Sequence, residues 1–207
     1  MRLEAALDDA LATRGHIRLL RALDLAPPGL DLSVRDLARR AGIAHNRASE
    51  VLVDLTEMGI TVVRRAGRAD LYRLSPDHVL YPVLRELFRR ERAVGDELRR
   101  LLRQRLVRLR RIREAYIFGS VARAQETVTS DLDLAIVIPP SGPNAEERAR
   151  IDEIAAEVRR RFGARLSVQV SGRSISHRAA RGPGRDLWKR IADEGIPILG
   201  RPAKRAS

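Results

Sequence analysis

Residues Phe118–Leu134 read FGSVARAQETVTSDLDL. A strand is expected over Arg113–Phe118 (REAYIF), with Gly119-Ser120 at its end and a short helical stretch, Val121–Ala124, beyond. Small residues at a strand-to-helix turn leave backbone N–H groups free to meet a phosphate. Ten residues separate Ser120 from Asp131, and Asp133 follows after one more. On the strand predicted over Ser130–Ile138, the two-residue repeat puts both carboxylates on one face. Facing carboxylates can hold divalent magnesium, which binds through oxygen and bridges to phosphates. The metal can then neutralise charge on a transferring group and activate a hydroxyl.

The rest of the C-terminal half supplies an α/β frame. Pro139 to Pro143 is a loop, and Ala145–Phe162 is an amphipathic helix with Ile151, Ile154, Ala155 and Val158 inward. Arg165–Val170 is a third strand, 184–194 a last helix and IPILG at 196–200 a short strand. FGSVAR followed by SDLDL, with the closing LWKRIADEGIPILG, resembles the minimal nucleotidyltransferases of the DNA polymerase beta superfamily over about residues 112–200. The resemblance implies a small mixed sheet flanked by helices. It implies that Gly119 and Ser120 bind a nucleoside triphosphate, with Arg123 near the phosphates. Asp131 and Asp133 would be the catalytic residues and the ligands of Mg2+. Two positions depart from the pattern. Ala124 stands where glycine is common, and the strand that usually brings a third carboxylate reads Arg165-Leu166-Ser167-Val168-Gln169-Val170. Neither Ser167 nor Gln169 is an anionic ligand, so metal would be held weakly and a base for the attacking hydroxyl is missing. Fold and activity therefore separate.

Residues 1–77 read differently. Leu3, Leu7 and Leu11 keep helical spacing, Gly15 interrupts it, and Ile17, Leu19, Leu20 and Leu23 resume it. Pro27, Pro28 and Gly29 form a loop. Ser33 caps a short helix, Val34–Ala41, and Gly42 makes a tight turn. A longer helix from His45 to Met58 ends at Gly59. Ile60–Arg65 and Leu71–Leu74 are strands joined at Gly67. Helix, turn, helix and hairpin is the order of a winged helix, and SVRDLARRAGIAHNRASEVLVDLTEMGI resembles the winged-helix transcription regulators. In such a domain the second helix enters the major groove. His45, Asn46, Arg47 and Ser49 are the expected DNA-binding residues of that helix, with Glu50 and Val53 on the same exposed face. Arg64, Arg65 and Arg68 surround the hairpin tip, where a wing meets phosphates. A near-neutral block, with twelve Arg against eleven acids over 1–80, also suits a protein-binding or dimerising module.

Between these blocks, residues 78–111 form an expected helical linker, one broken helix or two consecutive ones. Leu80, Leu84, Leu87 and Phe88 make one stripe; Leu98, Leu101, Leu102 and Leu106 make another. The stripes pack within the chain or form a dimer seam. Residues 81–114 hold twelve Arg and five acids, and a basic tail, 201–207, closes the chain. The net charge of +13 attracts polyanions. With no cysteine, disulfide frameworks and thiolate metal sites are excluded. His16, His45, His78 and His177 show no ligand spacing. Acids among its apolar residues exclude a signal peptide at the N-terminus, and no apolar run approaches a membrane span, so a cytoplasmic protein without membrane contact is expected.

The expected fold class is α+β: winged helix-turn-helix (1–77), helical linker (78–111), nucleotidyltransferase fold (112–200). The leading functional expectation is a DNA-binding transcriptional regulator, a homodimer on duplex DNA. Its second domain binds a nucleoside triphosphate and magnesium and is degenerate in catalysis. The alternative is an active nucleotidyltransferase that passes a nucleoside monophosphate to a protein, RNA or small molecule, an antitoxin-like role included.

Overall fold

A computed structural model describes residues 6–27, 29–123, 130–181 and 184–200. Leu3, Ala124, the polar loop after it and the basic tail lie outside the described residues. The chain forms two compact units, Met1–Ala93 and Val94–Ser207.

The first unit is a winged helix. Helices α1 (Ala6–Ala10), α2 (Arg14–Asp24), α3 (Val34–Ala41) and α4 (His45–Glu57) are joined by a two-residue strand, β1 (Leu32–Ser33), and followed by the hairpin β2 (Thr61–Ala66) and β3 (Ala69–Leu74). Thr13 and Ser33 cap α2 and α3 by accepting backbone N–H groups that lack helical partners. Gly42 ends α3 at φ 62°, the left-handed conformation that lets the chain reverse into α4. The strands pair antiparallel in the order β1-β3-β2. Leu19, Leu20, Leu37, Leu52, Leu55 and Tyr72 are buried in one core, together with Leu84 and Phe88 from the following helix. Burial of each such side chain contributes roughly 1.5–3 kcal/mol.

That helix, α5, runs unbroken over Tyr81–Leu106, and Pro82 sits in its first turn, where no backbone N–H is needed. Its early residues belong to the first unit. Leu101, Leu102 and Leu106 belong to the core of the second.

The second unit holds β4 (Glu114–Phe118), the one-turn helix α6 (Gly119–Ala122), β5 (Leu132–Val137), α7 (Ala145–Phe162), β6 (Leu166–Ser171), α8 (Ile175–Ala180), α9 (Arg185–Glu194) and β7 (Ile196–Leu199). Its sheet is mixed, in the order β6-β5-β4-β7. Among the described residues only β5 and β6 pair parallel. Alternation along β5 sends Leu132, Leu134 and Ile136 to one face, against Ile154 and Val158 of α7 and the end of α5. Ala135 and Val137 face the other way, into a core with Tyr116, Ile175 of α8, and Trp188 and Ile191 of α9. Asn144 and Glu147 close α7 with a reciprocal capping box. No helix among the described residues is long and apolar enough to cross a membrane.

Candidate nucleotide site and nucleic-acid interface

The turn and the carboxylates meet because β4 and β5 are antiparallel neighbours. Phe118, the last residue of β4, stands opposite Asp133. Gly119 follows at φ +78°, and a Cβ there would lie 2.2 Å from Asp133 Oδ2. Only glycine lets the start of α6 approach the carboxylate so closely. Asp133 lies on the face of β5 that bears Ala135 and Val137, the face covered by α8 and α9, and Asp131 stands one residue before the strand. Asp131 is exposed and Asp133 half-buried. Burial pushes the Asp133 carboxyl above its usual range, and repulsion from Asp131 pushes it further. A hydrogen bond from Ser167 and the positive charge of Arg123 oppose the rise.

The parallel pairing of β5 and β6 sets Ser167 directly opposite Asp133 and Gln169 opposite Ala135. Ser167 thus occupies the position beside the carboxylates. Glu153 and Glu157 do not join them. They lie on α7, against the opposite face of the sheet, paired with Arg150 and Arg105 respectively. Among the described residues no group of three or more His, Asp and Glu could hold a metal ion.

A cavity of about 190 Å³ opens beside the turn, lined by Phe118, Gly119, Arg123, Asp133, Leu187, Arg190 and Glu194. Arg123 forms a 3.6 Å ion pair with Glu194. The three α9 residues were not among the sequence candidates. The motif around the aspartates ends well before them, and the packing of α9 brings them in. Their one sequence signal is the LWKRIADEG segment itself.

In the winged helix, His45, Asn46, Arg47, Glu50 and Val53 are exposed on α4, and Ser49 is half-exposed. Arg64, Arg65 and Arg68 are exposed on the hairpin. Several of these cations are already engaged. Arg47 pairs with Glu50 at 2.9 Å, Arg64 with Asp31 at 2.7 Å and Arg65 with Asp70 at 2.8 Å. Beneath α4, His16 is buried, and desolvation holds its imidazole below the usual range against the pull of Asp54.

The polymerase beta nucleotidyltransferase family matches residues 101–174, the segment that contains the Gly119-Ser120 turn and both aspartates. No curated protein matches the sequence. Among solved structures, a Mycobacterium bovis fragment is titled a homodimeric winged helix-turn-helix DNA-binding domain of a possible ArsR-family regulator. It is 26% identical, with 45% of this chain and 78% of that one covered and a TM-score of 0.34. The toxin-antitoxin MntA-HpeT, in a mutant form, is 14% identical over 51% of this chain and 73% of that one, with a TM-score of 0.34. A toxin-antitoxin structure with AMP-PNP is 15% identical over 48% and 73%, with a TM-score of 0.32. The sheet order, the glycine turn against Asp133 and the family match agree: residues 101–174 carry a nucleotidyltransferase domain of the polymerase beta family, in a chain that begins with a winged helix.

Proposed function

We propose that the C-terminal domain binds a nucleoside triphosphate with magnesium and that the winged helix binds duplex DNA, which makes the chain a nucleotide-responsive transcriptional regulator. The observation that supports the nucleotide reading is the close approach of the glycine turn at Gly119 to the Asp133 carboxylate. Asp131 and Asp133 would hold the ion. The donor set fits a hard cation that prefers oxygen, since two neighbouring carboxylates repel each other and a cation relieves that repulsion. With Ser167 beside them in place of a third carboxylate, the remaining oxygens come from the triphosphate and water. Magnesium, when bound, would offset the negative charge of the triphosphate. The protein's own residues do the rest. Backbone N–H groups at Gly119 and Ser120 meet phosphate, the Ser120 hydroxyl donates to it, and Arg123 offsets its charge.

The second reading is an active nucleotidyltransferase, with a protein, RNA or small-molecule acceptor that includes a toxin partner. The family of residues 101–174 favours it. Ser167 weighs against it, because a serine opposite Asp133 is a poor base for the attacking hydroxyl. Incubation of the full chain with magnesium and α-labelled nucleoside triphosphates, with and without cell extract, separates the two. The regulator reading expects bound nucleotide and no labelled product. A labelled protein, RNA or small molecule would make the enzyme reading the correct one.

For DNA, the expected contacts are His45, Asn46, Arg47 and Ser49 in the major groove and Arg64, Arg65 and Arg68 on phosphates. A homodimer would present two such helices to two half-sites. Val83 and Leu87 leave exposed apolar surface on α5 for that contact. Light scattering should give twice the chain mass of 23.2 kDa at micromolar concentration. A monomer mass, with and without DNA, would exclude the dimer.

A further inference from the structure

We infer that α9 completes the nucleotide site. Arg190 is a second cation for the polyphosphate chain, and Glu194 is an internal counter-ion that positions Arg123 until phosphate replaces it. The inference rests on the reading of the C-terminal domain as a nucleoside triphosphate site, and it names the residues on which that site depends beyond the Gly-Ser turn and the two aspartates.

Trp188 and Ile191 are buried against the sheet and fix the rotation of α9. Residues 187, 190 and 194 then fall on the adjacent face, at helical spacings of three and four, and all three line the cavity that holds Gly119 and Asp133. Arg190 and Glu194 lie one turn apart, the spacing of a helix ion pair. Glu194 nevertheless pairs across to Arg123, at 3.6 Å, and the Arg190 guanidinium makes no ion pair or hydrogen bond among the described residues. An exposed, unpaired guanidinium beside a half-buried carboxylate suits a ligand that is anionic and metal-bound. The carboxylates take the metal, and the cations take the charge that one divalent ion leaves on a triphosphate. Arg suits this because its planar fork binds phosphate oxygens in pairs. The Arg123–Glu194 pair joins two side chains that are 39% and 46% exposed. Water screens such a pair, so a phosphate can compete with Glu194 for Arg123. Until then Glu194 keeps Arg123 at the cavity and offsets the repulsion between the two arginines.

The test uses the full chain, magnesium and a fluorescent, non-hydrolysable ATP analogue followed by anisotropy, with inorganic tripolyphosphate and adenosine as competitors. Arg190→Ala should weaken the analogue about tenfold or more, as loss of a charge-assisted phosphate contact does. It should also weaken competition by tripolyphosphate about as much and leave competition by adenosine unchanged. Arg190→Lys should recover part of the loss. Lys189→Ala, the neighbouring exposed cation, should match the wild type. Glu194→Gln should tighten the analogue, by up to about fivefold for an exposed pair. The inference is overturned if Arg190→Ala binds like the wild type, or loses adenosine competition to the same extent, which would mark a distorted helix. Weaker, magnesium-dependent binding by Glu194→Gln would make Glu194 a metal ligand and end its counter-ion role. If Asp133→Asn loses binding while Arg190→Ala does not, the nucleotide reading stands and this inference fails. If the wild type binds no analogue at all, both fall.

Discussion

Gly119 and Asp133 constrain each other. A methyl group at 119 would collide with the Asp133 carboxylate, and φ +78° strains any L side chain. Gly119→Ala should therefore cost at least the roughly 1–3 kcal/mol of a forced left-handed residue and abolish nucleotide binding. Denaturant titration and the anisotropy assay would show both effects, and a fully stable, binding-competent variant would contradict the geometry. Asp133 carries a second consequence. Its carboxyl takes up a proton at higher pH in the folded protein than in the unfolded chain, mainly through burial and then through Asp131. Between those two pH values the folded state binds more protons, so its stability falls as pH rises through the folded pKa. Above that pKa the ionised carboxylate is a standing cost to the ligand-free protein. Asp133→Asn should raise Tm at neutral pH, by about 2–4 °C per kcal/mol for a chain of this length. The gain should shrink as pH falls through the folded pKa of Asp133. Calorimetry at neutral and acid pH checks this; a lower Tm at neutral pH would contradict it. His16 has the opposite sign in the same calculation. Its depressed pKa means that folding stability is fully present above the unfolded value and is lost as pH falls from there through the folded one.

At the scale of elements, helix α5 is tied to the winged helix through one buried acid. The Asp24 side chain is fully buried and is met by Arg85 at 3.0 Å and by Arg92, both from α5, while Arg21 and Glu91 pair at 2.6 Å nearby. The arginines are 44% and 42% exposed, so each can turn to water if Asp24 is removed. Asp24 cannot do the reverse. The double variant Arg85→Ala/Arg92→Ala leaves a buried charge without a counter-ion and should cost about 3–5 kcal/mol. Asp24→Asn should cost clearly less. Chemical denaturation of the three proteins tests the order, and an equal or reversed pair of costs would show that solvent reaches Asp24. Several elements were legible from local signals alone. Val34–Ala41 is bounded by Ser33 and Gly42 as expected from sequence, and Ala145–Phe162 has the bounds that its apolar periodicity predicts. The two-residue strand β1 and the short helix α8 were not. β1 exists only because Leu32 and Ser33 pair with Tyr72 and Leu71, partners supplied by a distant hairpin. Over 78–111 the sequence suggests one broken helix or two consecutive ones, but the strong helix formers on either side of Gly95 carry α5 through unbroken.

For the whole molecule, the net charge of +13 overstates the cations free to meet DNA. Asp31, with a side chain only 10% exposed, holds Arg64 and lies 3.6 Å from Arg73, and Asp70 holds Arg65. On DNA these pairs must exchange, which reduces the net gain from each phosphate contact. Replacing Arg64, Arg65 and Arg68 together by Ala should weaken binding to all sequences alike and flatten the salt dependence. Asp31→Asn/Asp70→Asn should do the converse, tightening non-specific binding. Replacing Asn46 or Arg47 should change sequence preference instead. Gel shifts with the full chain at several salt concentrations would measure all three effects. No binding by the folded wild type at low salt would remove the regulator reading.

Local order in the sequence determined the winged helix, the strand-turn-helix at Gly119 and the strand that carries Asp133. In each case the deciding information is a period of two or 3.6, a cap, or a glycine at a turn, all of which act over a few residues. Tertiary structure alone decided the rest of the site. Which residue of β6 stands against Asp133 is a matter of register. A shift of one residue would have replaced Ser167 by a neighbour whose side chain points to the opposite face. Whether α9 belongs to the site depends on Trp188 and Ile191 burying against a sheet formed by strands far from them in sequence. Spacing along the chain carries no record of that packing, so Arg190 and Glu194 become visible only once the sheet has closed around them.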